Sequence, residues 1–298
     1  MIIKEPFGTL PDNTPVTAYT LSNSSILRAR FIDFGGTVVN LWVKGKDGAE
    51  TDVICGFDDI NGYLNAKGYQ GAIIGRVCNR ISKSKFTLDG VEYSLFANDG
   101  KNSAHGGEIG FNKRMWDVKV SDNVDEPSLE LTYTSPDMEE NFPGTLRVKV
   151  VYTLKREGAL SIHYIADTDK NTIVNLTNHA YFNLNGEGSG TVLNHILKLN
   201  ASEFLPTDDT LIPVGTAEDV AGTPMDFVNA KPLGRDIKAD FPALNYGKGY
   251  DNCYVIDGAE PGQIQSAAEL YSPESGRVLE VLTTQPGVQI YTGNWLEG

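Results

Sequence analysis

Long apolar runs are missing from this chain. Nowhere do ~20 consecutive apolar residues occur, so no membrane-spanning helix is expected. The amino-terminal stretch "MIIKEPFGTLPDN" lacks the apolar core of a signal peptide, and a cytoplasmic location is expected. Cysteine is scarce: Cys55, Cys78 and Cys253 are odd in number and form no C-x-x-C pair, which excludes a disulfide or zinc framework and points to a reducing compartment. Without export, the glycosylation-sequon matches "NSS" at 23–25 and "NLT" at 175–177 carry no meaning. Positive charge is also short, with 25 Lys and Arg against 39 Asp and Glu, a net charge of −14. Such a balance repels a phosphate backbone, and no Lys/Arg run is dense enough to form a basic patch. Nucleic acid is therefore not expected as a partner, and a polyanionic substrate is disfavoured, although one or two local arginines could hold a single phosphate. A small neutral polar substrate fits better.

Helical periodicity is nearly absent as well. Only "DDINGYLNAKGY" at 58–69 reads as one short helix, interrupted by Gly62 and Gly68. Alternating strand patterns dominate instead. "KFTLDGVEYSL" at 85–95 has two alternating arms around Asp89-Gly90, a strong hairpin signal. Residues 128–135, 146–155, 159–167, 195–202 and 277–285 are likewise rich in β-branched and aromatic residues, and Gly, Asn, Asp or Pro separate them. Strands without intervening helices predict an all-β antiparallel sandwich or barrel. Such units commonly exceed 200 residues, so a single domain over 1–298 is expected.

Four histidines limit the search for chemistry. His163 lies in an alternating strand and His195 at a strand start, and both read as structural. "NLTNHAYFNLNG" at 175–186 is more informative. As a strand it places Asn175, Thr177, His179, Tyr181 and Asn183 on one face, and Leu176, Asn178, Ala180, Phe182 and Leu184 on the other. A face of short amides, hydroxyls and imidazole suits a pocket that hydrogen-bonds hydroxyl groups better than it suits bulk solvent. His105 precedes Gly106-Gly107, a pair that allows close backbone approach or a tight turn. "GAIIGRVCNRIS" at 71–82 is apolar until it delivers Arg76, Asn79 and Arg80, either as a polar anchor at a strand end or as members of structural ion pairs. Asp251 follows Gly247 and Gly249 and reads alternatively as a site residue or a turn aspartate. Alternation in "QPGVQIYTGN" sets Gln289 with Tyr291 on one face. Metal-binding spacings, a G-x-S-x-G elbow, a P-loop and a placed Rossmann fingerprint are all missing, and "GEGSG" at 186–190 is at most a Gly-rich hairpin. No metal is expected.

Taken together, "GRVCNRISKSKFTLDGVEYSL", "HGG", "NLTNHAYFNLNG", "FLPTDDTLIPVGT", "GTPMDF", "GYDNCYVID" and "TTQPGVQIYTGN" resemble, in order, the motifs of the aldose 1-epimerase (galactose mutarotase) family, from about residue 7 to residue 296. The resemblance implies a large twisted antiparallel β-sandwich of galactose mutarotase type, a supersandwich, with an open sugar-binding cleft. It implies interconversion of the α and β anomers of hexoses such as galactose and glucose, without an organic cofactor or metal. His179 then matches the general acid at the ring oxygen. Asn79, Arg80, His105, Tyr181, Asp251 and Gln289 match sugar-contacting positions, with His105 also near the reacting ring. Asn252 stands where relatives often carry His.

The general base implied by the resemblance is a Glu some tens of residues after "YTGN". Glu297 is too close to that turn to match, so this carboxylate is expected beyond residue 298. Two alternatives stay open at this point: a sugar-phosphate mutarotase, which needs an additional cationic pair, and a non-catalytic sugar-binding or sensor protein of the same fold. A monomer or homodimer is expected.

Overall fold

A computed structural model describes residues 1–23, 27–121 and 123–296. Ser24 and Ser25 of the first sequon match, and Glu297, lie outside the described residues. The chain is all-β among these residues apart from two one-to-two-turn α-helices and short 3₁₀ turns, and no described helix is long and apolar enough to cross a membrane. It divides into two compact units, 1–44 with 50–182 and 45–49 with 183–298.

The first unit opens with a five-stranded antiparallel meander: β1 (Ile2–Thr9), β2 (Pro15–Ser22), β3 (Leu27–Ile32), β4 (Thr37–Lys44) and β5 (Glu50–Asp52). Helix α1 (Ile60–Asn65) falls inside the stretch read as helical, and Asp59 caps it by accepting from Gly62 N at 3.1 Å. Short strands β6 (Ile73–Ile74) and β7 (Arg80–Ile81) precede the hairpin of β8 (Lys85–Leu88) and β9 (Val91–Ser94), then β10 (Ser103–Ala104). At the hairpin turn Asp89 and Gly90 adopt φ of 52° and 78°, the left-handed pair that lets a two-residue loop follow the strand twist. A four-stranded meander follows: β11 (Asp117–Ser121), β12 (Ser128–Ser135), β13 (Leu146–Leu154) and β14 (Leu160–Thr168). Alternation puts Leu146, Val148, Val150 and Tyr152 of β13 inward. There Tyr152 packs on Phe31 of the first sheet, ring centres 4.7 Å apart, and donates its hydroxyl to Gly36 O at 2.9 Å. The two sheets of this unit thus meet face to face through apolar side chains.

Strand β15 (Thr177–Asn178) pairs with β6. The continuous strand expected over 175–186 is not formed. Asn178 turns inward, donating to Gly71 O at 2.7 Å and to the Tyr152 hydroxyl at 3.2 Å, while its own Oδ1 accepts from Ala180 N at 2.9 Å. Those three bonds satisfy the amide and break the regular pleat, so the chain continues as isolated bridges at Asn175 and Phe182.

The second unit holds β16 (Ile196–Leu199), β17 (Glu203–Phe204), β18 (Glu218–Asp219), β19 (Lys231–Pro232), α2 (Pro242–Gly247), β20 (Asp251–Val255), β21 (Gln265–Tyr271), β22 (Val278–Thr283) and β23 (Gly287–Tyr291). They form two four-stranded sheets, in the orders β19-β16-β21-β22 and β18-β17-β20-β23. The core of this unit gathers Leu197, Leu199, Phe204, Phe227, Tyr250 and Tyr254, with partly buried Val288 and Ile290 of β23 packed against it. "GEGSG" makes consecutive turns with no flanking strands, so the hairpin expected there is absent; Asn183 is instead buried, holding Gly190 O at 3.0 Å.

Candidate active site

In the first unit two loops carry the histidines. His105 lies just past the β7–β10 ladder, where it and Asn79 interlock: His105 N–H donates to Asn79 O at 3.1 Å, and Asn79 N–H donates to His105 Nδ1 at 3.2 Å. Neutral His105 therefore carries its proton on Nε2. Both residues take positive φ, 60° for Asn79 and 52° for His105. Asn98 holds the loop from the other side, its Nδ2 donating to Ala104 O and Gly107 O at 2.9 and 2.7 Å. Glycine at 106 is required by contact as well as by φ of 93°, because a Cβ there would sit 1.8 Å from Gly75 O. The Gly pair that is weak evidence in the sequence thus docks the histidine loop on the chain leading to Arg76.

Arg76 itself is not a site residue. It is 2% exposed and donates to Ser135 Oγ and to the carbonyls of Ser135, Pro136, Phe142 and Pro143, so it is a structural clamp on that loop and the polar-anchor reading fails for it. Arg80 differs. Its Nε lies 2.8 Å from Asp99 Oδ2, and its Nη1 donates to Asn79 Oδ1 at 3.3 Å.

His179 is fixed by its main chain: its N–H donates to Ala72 O at 2.9 Å and its carbonyl accepts from Gly71 N at 3.0 Å. Tyr181 is anchored in the same way, its carbonyl accepting from Cys55 N at 2.9 Å. The side chains converge. The rings of His105 and His179 meet edge to face with centres 5.0 Å apart, and Tyr181 lies 5.0 Å from His179. Tyr69, a residue that no motif singled out, contacts both imidazoles, at 4.5 Å from His105 and 5.6 Å from His179. Its only sequence signal is an aromatic ring between Gly68 and Gly71, in the stretch read as the end of a helix.

Burial, the neighbouring His179 and the Arg80 charge together push the His105 pKa down to about 3, and burial lowers that of His179. Burial and then the Asp99 charge raise the Tyr69 pKa, with Arg80 opposing. At neutral pH the cluster is thus largely uncharged imidazole and phenol, flanked by one ion pair. Neutral imidazoles, amides and a phenol can donate and accept hydrogen bonds to hydroxyl groups, and imidazole can pass a proton.

In the second unit Asp251 opens β20 and is 8% exposed, so it is a strand residue and not a turn residue. Gln289 of β23 donates to its Oδ1 at 2.8 Å, as the shared face of Gln289 and Tyr291 requires once β23 pairs with β20. Asn252 points to the opposite face and donates to Leu205 O at 3.4 Å. Beyond β23, Asn294 closes the "YTGN" turn by donating to Gly247 O and Tyr250 O at 2.8 and 3.0 Å. The other two histidines are structural: His163 is exposed on β14, and His195 is wholly buried, accepting from Leu184 N at 3.0 Å. Among the described residues no group of three or more His, Cys, Asp and Glu is placed to hold a metal ion.

Comparison with known proteins reaches along the whole chain. The family model described as aldose 1-epimerase matches residues 17–298. A galactose mutarotase from Bos taurus is 42% identical over 297 residues, 100% of this chain and 83% of the relative. An aldose 1-epimerase from Escherichia coli is 35% identical over 297 residues, 100% of this chain and 84% of the relative. Among solved structures, a galactose 1-epimerase from Lactobacillus acidophilus superposes with a TM-score of 0.88 at 28% identity, covering 99% of this chain and 83% of that one.

Proposed function

The chain belongs to the aldose 1-epimerase family and is a mutarotase, an isomerase that interconverts sugar anomers, and we propose that His179 is the acid that opens the sugar ring. One observation carries this reading: the rings of His105 and His179 meet 5.0 Å apart beside Asn79 and Arg80, in the motifs that the resemblance assigns to the reacting sugar.

Anomer exchange needs two coupled proton transfers. A base removes the C1 hydroxyl proton while an acid protonates the ring oxygen; the bond from C1 to the ring oxygen breaks and an open-chain aldehyde forms. Rotation about C1–C2 and the reverse transfers close the ring on the other face. His179 in its imidazolium form gives its proton to the ring oxygen and retrieves it on closure; because burial lowers its pKa, that form is the minor one at neutral pH and the stronger acid. His105 holds Nε2–H toward the sugar because its Nδ1 is occupied by Asn79 N–H. Arg80, Asn79 and Tyr181 supply hydrogen bonds to sugar hydroxyls; in the second unit, Asp251 and Gln289 are the residues that the resemblance matches to sugar-contacting positions. The resemblance implies a Glu carboxylate as the acceptor, and no described residue is assigned that role.

A neutral hexose such as galactose or glucose is the substrate in this reading. Support comes from the arginines, since Arg76 is spent on backbone carbonyls and the charge of Arg80 is balanced by Asp99, which argues against a phosphate clamp there while leaving Arg80 a hydrogen-bond donor. The single-domain reading over 1–298 is supported by a family match that runs through both compact units. A cytoplasmic location is our reading from cysteine usage: three residues, Cys55, Cys78 and Cys253, an odd number without a C-x-x-C pair. Polarimetry on freshly dissolved α-galactose and α-glucose tests the assignment of the acid: His179→Ala should lose nearly all acceleration while still binding sugar, and an active variant would refute it.

A further inference from the structure

Tyr69 belongs to no motif, and the proton-transfer scheme above does not use it. Three observations set it apart. Its ring touches both imidazoles, 4.5 Å from His105 at an interplanar angle of 57° and 5.6 Å from His179 at 28°, so with the His105–His179 contact it closes a triangle of rings. Its backbone belongs to the turn that holds His179: Tyr69 O accepts from Ala72 N at 3.1 Å, and Gly71 and Ala72 make both main-chain bonds to His179. That turn is tied down at Gly71, whose carbonyl accepts from Val38 N at 2.8 Å and from Asn178 Nδ2 at 2.7 Å, and its φ of 67° with a Cβ position 2.0 Å from Val38 O requires glycine there. A flat, half-buried ring on that turn is a means of fixing the two imidazoles it touches.

We propose that Tyr69 is a positioning residue of the acid/base site, its aromatic ring fixing the mutual orientation of His105 and His179 and excluding water from between them. This rests on His179 being the acid. Misplacing a catalytic group by a fraction of its proper geometry costs rate far more than it costs binding. Removing the ring also rehydrates the imidazoles, which lifts the desolvation that holds their protons off. The groups facing them otherwise are Asn79, Arg80 with its partner Asp99, and Tyr181, along with each other.

The experiment compares Tyr69→Leu and Tyr69→Phe with the unaltered protein and His179→Ala, by polarimetric kcat and KM from pH 4 to 9 and by NMR titration of the histidine rings. Tyr69→Leu should lower kcat about 10²-fold with a much smaller change in KM. In that variant the histidine limb of kcat/KM and the NMR titrations of His105 and His179 should move upward, toward the free value near 6.5. Tyr69→Phe, which keeps the ring, should retain the unaltered titrations and kcat to within about tenfold. If Tyr69→Leu does not fold, Tyr69→Met fills the volume without a flat ring and should behave as predicted for Leu. An unmoved titration with unaltered kcat in the Leu or Met variant overturns the proposal. So does equal loss in the Phe and Leu variants without any shift, since that outcome assigns the effect to the hydroxyl. An active His179→Ala refutes the underlying assignment instead, so the two failures are distinguishable.

Discussion

Each compact unit contains a histidine whose ring nitrogen accepts a backbone N–H. In the first unit His105 Nδ1 takes the Asn79 proton at 3.2 Å, and in the second His195 Nε2 takes that of Leu184 at 3.0 Å. Burial lowers both pKa values. What differs is the free side of each ring. That of His105 joins Tyr69 and His179 at a partly open cluster, whereas His195 is 0% exposed and its Nδ1 is buried with no partner among the described residues. The comparison teaches that a lowered pKa and a backbone lock do not identify a catalytic imidazole. The imidazoles proposed for the reaction differ from His195 in their access and in having a second titratable ring beside them.

Substitutions can break that comparison, beginning with the largest effect. His179→Ala should lower kcat by about 10²–10⁴-fold, the usual scale for loss of a proton-transfer group, with sugar affinity measured by calorimetry changing little. Replacing His105 with Ala should cost about 10²-fold in kcat and also weaken binding, because Asn79 N–H loses its acceptor and the loop its interlock. The Asp251–Gln289 pair is read as binding alone, so Gln289→Ala should raise KM about tenfold and leave kcat nearly intact, as initial rates across sugar concentration would show. His195→Ala should leave kcat unchanged and destabilise the protein by about 1–3 kcal/mol, the cost of an orphaned buried N–H, read as a lower urea midpoint. A large kcat loss for His195→Ala would erase the distinction between the two regions.

The smallest effect is on pH-dependent stability. His105 binds its proton at a pKa of about 3 when folded, against an ordinary value of 6.5. Between those values the unfolded chain binds more protons, so the stabilisation is complete above pH 6.5 and is lost as pH falls toward 3. Urea midpoints at pH 7 and pH 5 should differ less in His105→Asn than in the unaltered protein.

Much of this was legible in local pattern. The Asp89-Gly90 hairpin and the strands at 128–135 and 146–154 form where alternation and turn chemistry place them, because those signals act over a few residues. "NLTNHAYFNLNG" misled as a strand because Asn178 makes its bonds to Gly71 and Tyr152, partners that no window around it contains. Arg76 and Arg80 look alike in sequence. They part only when the carbonyls of 135–143 close around the first and Asp99 meets the second. Tyr69 carried little signal beyond its flanking glycines, because its contacts are with two rings brought to it by other loops.

The central claim, that His179 is the proton donor, is tested most directly by the pH dependence of kcat/KM for galactose mutarotation, followed by polarimetry beside His179→Ala. Because burial lowers the His179 pKa, the account predicts a limb below pH 6.5 along which the unaltered enzyme loses rate as pH rises, and no such limb in the residual rate of the variant. A variant that retains both the rate and the limb would contradict it.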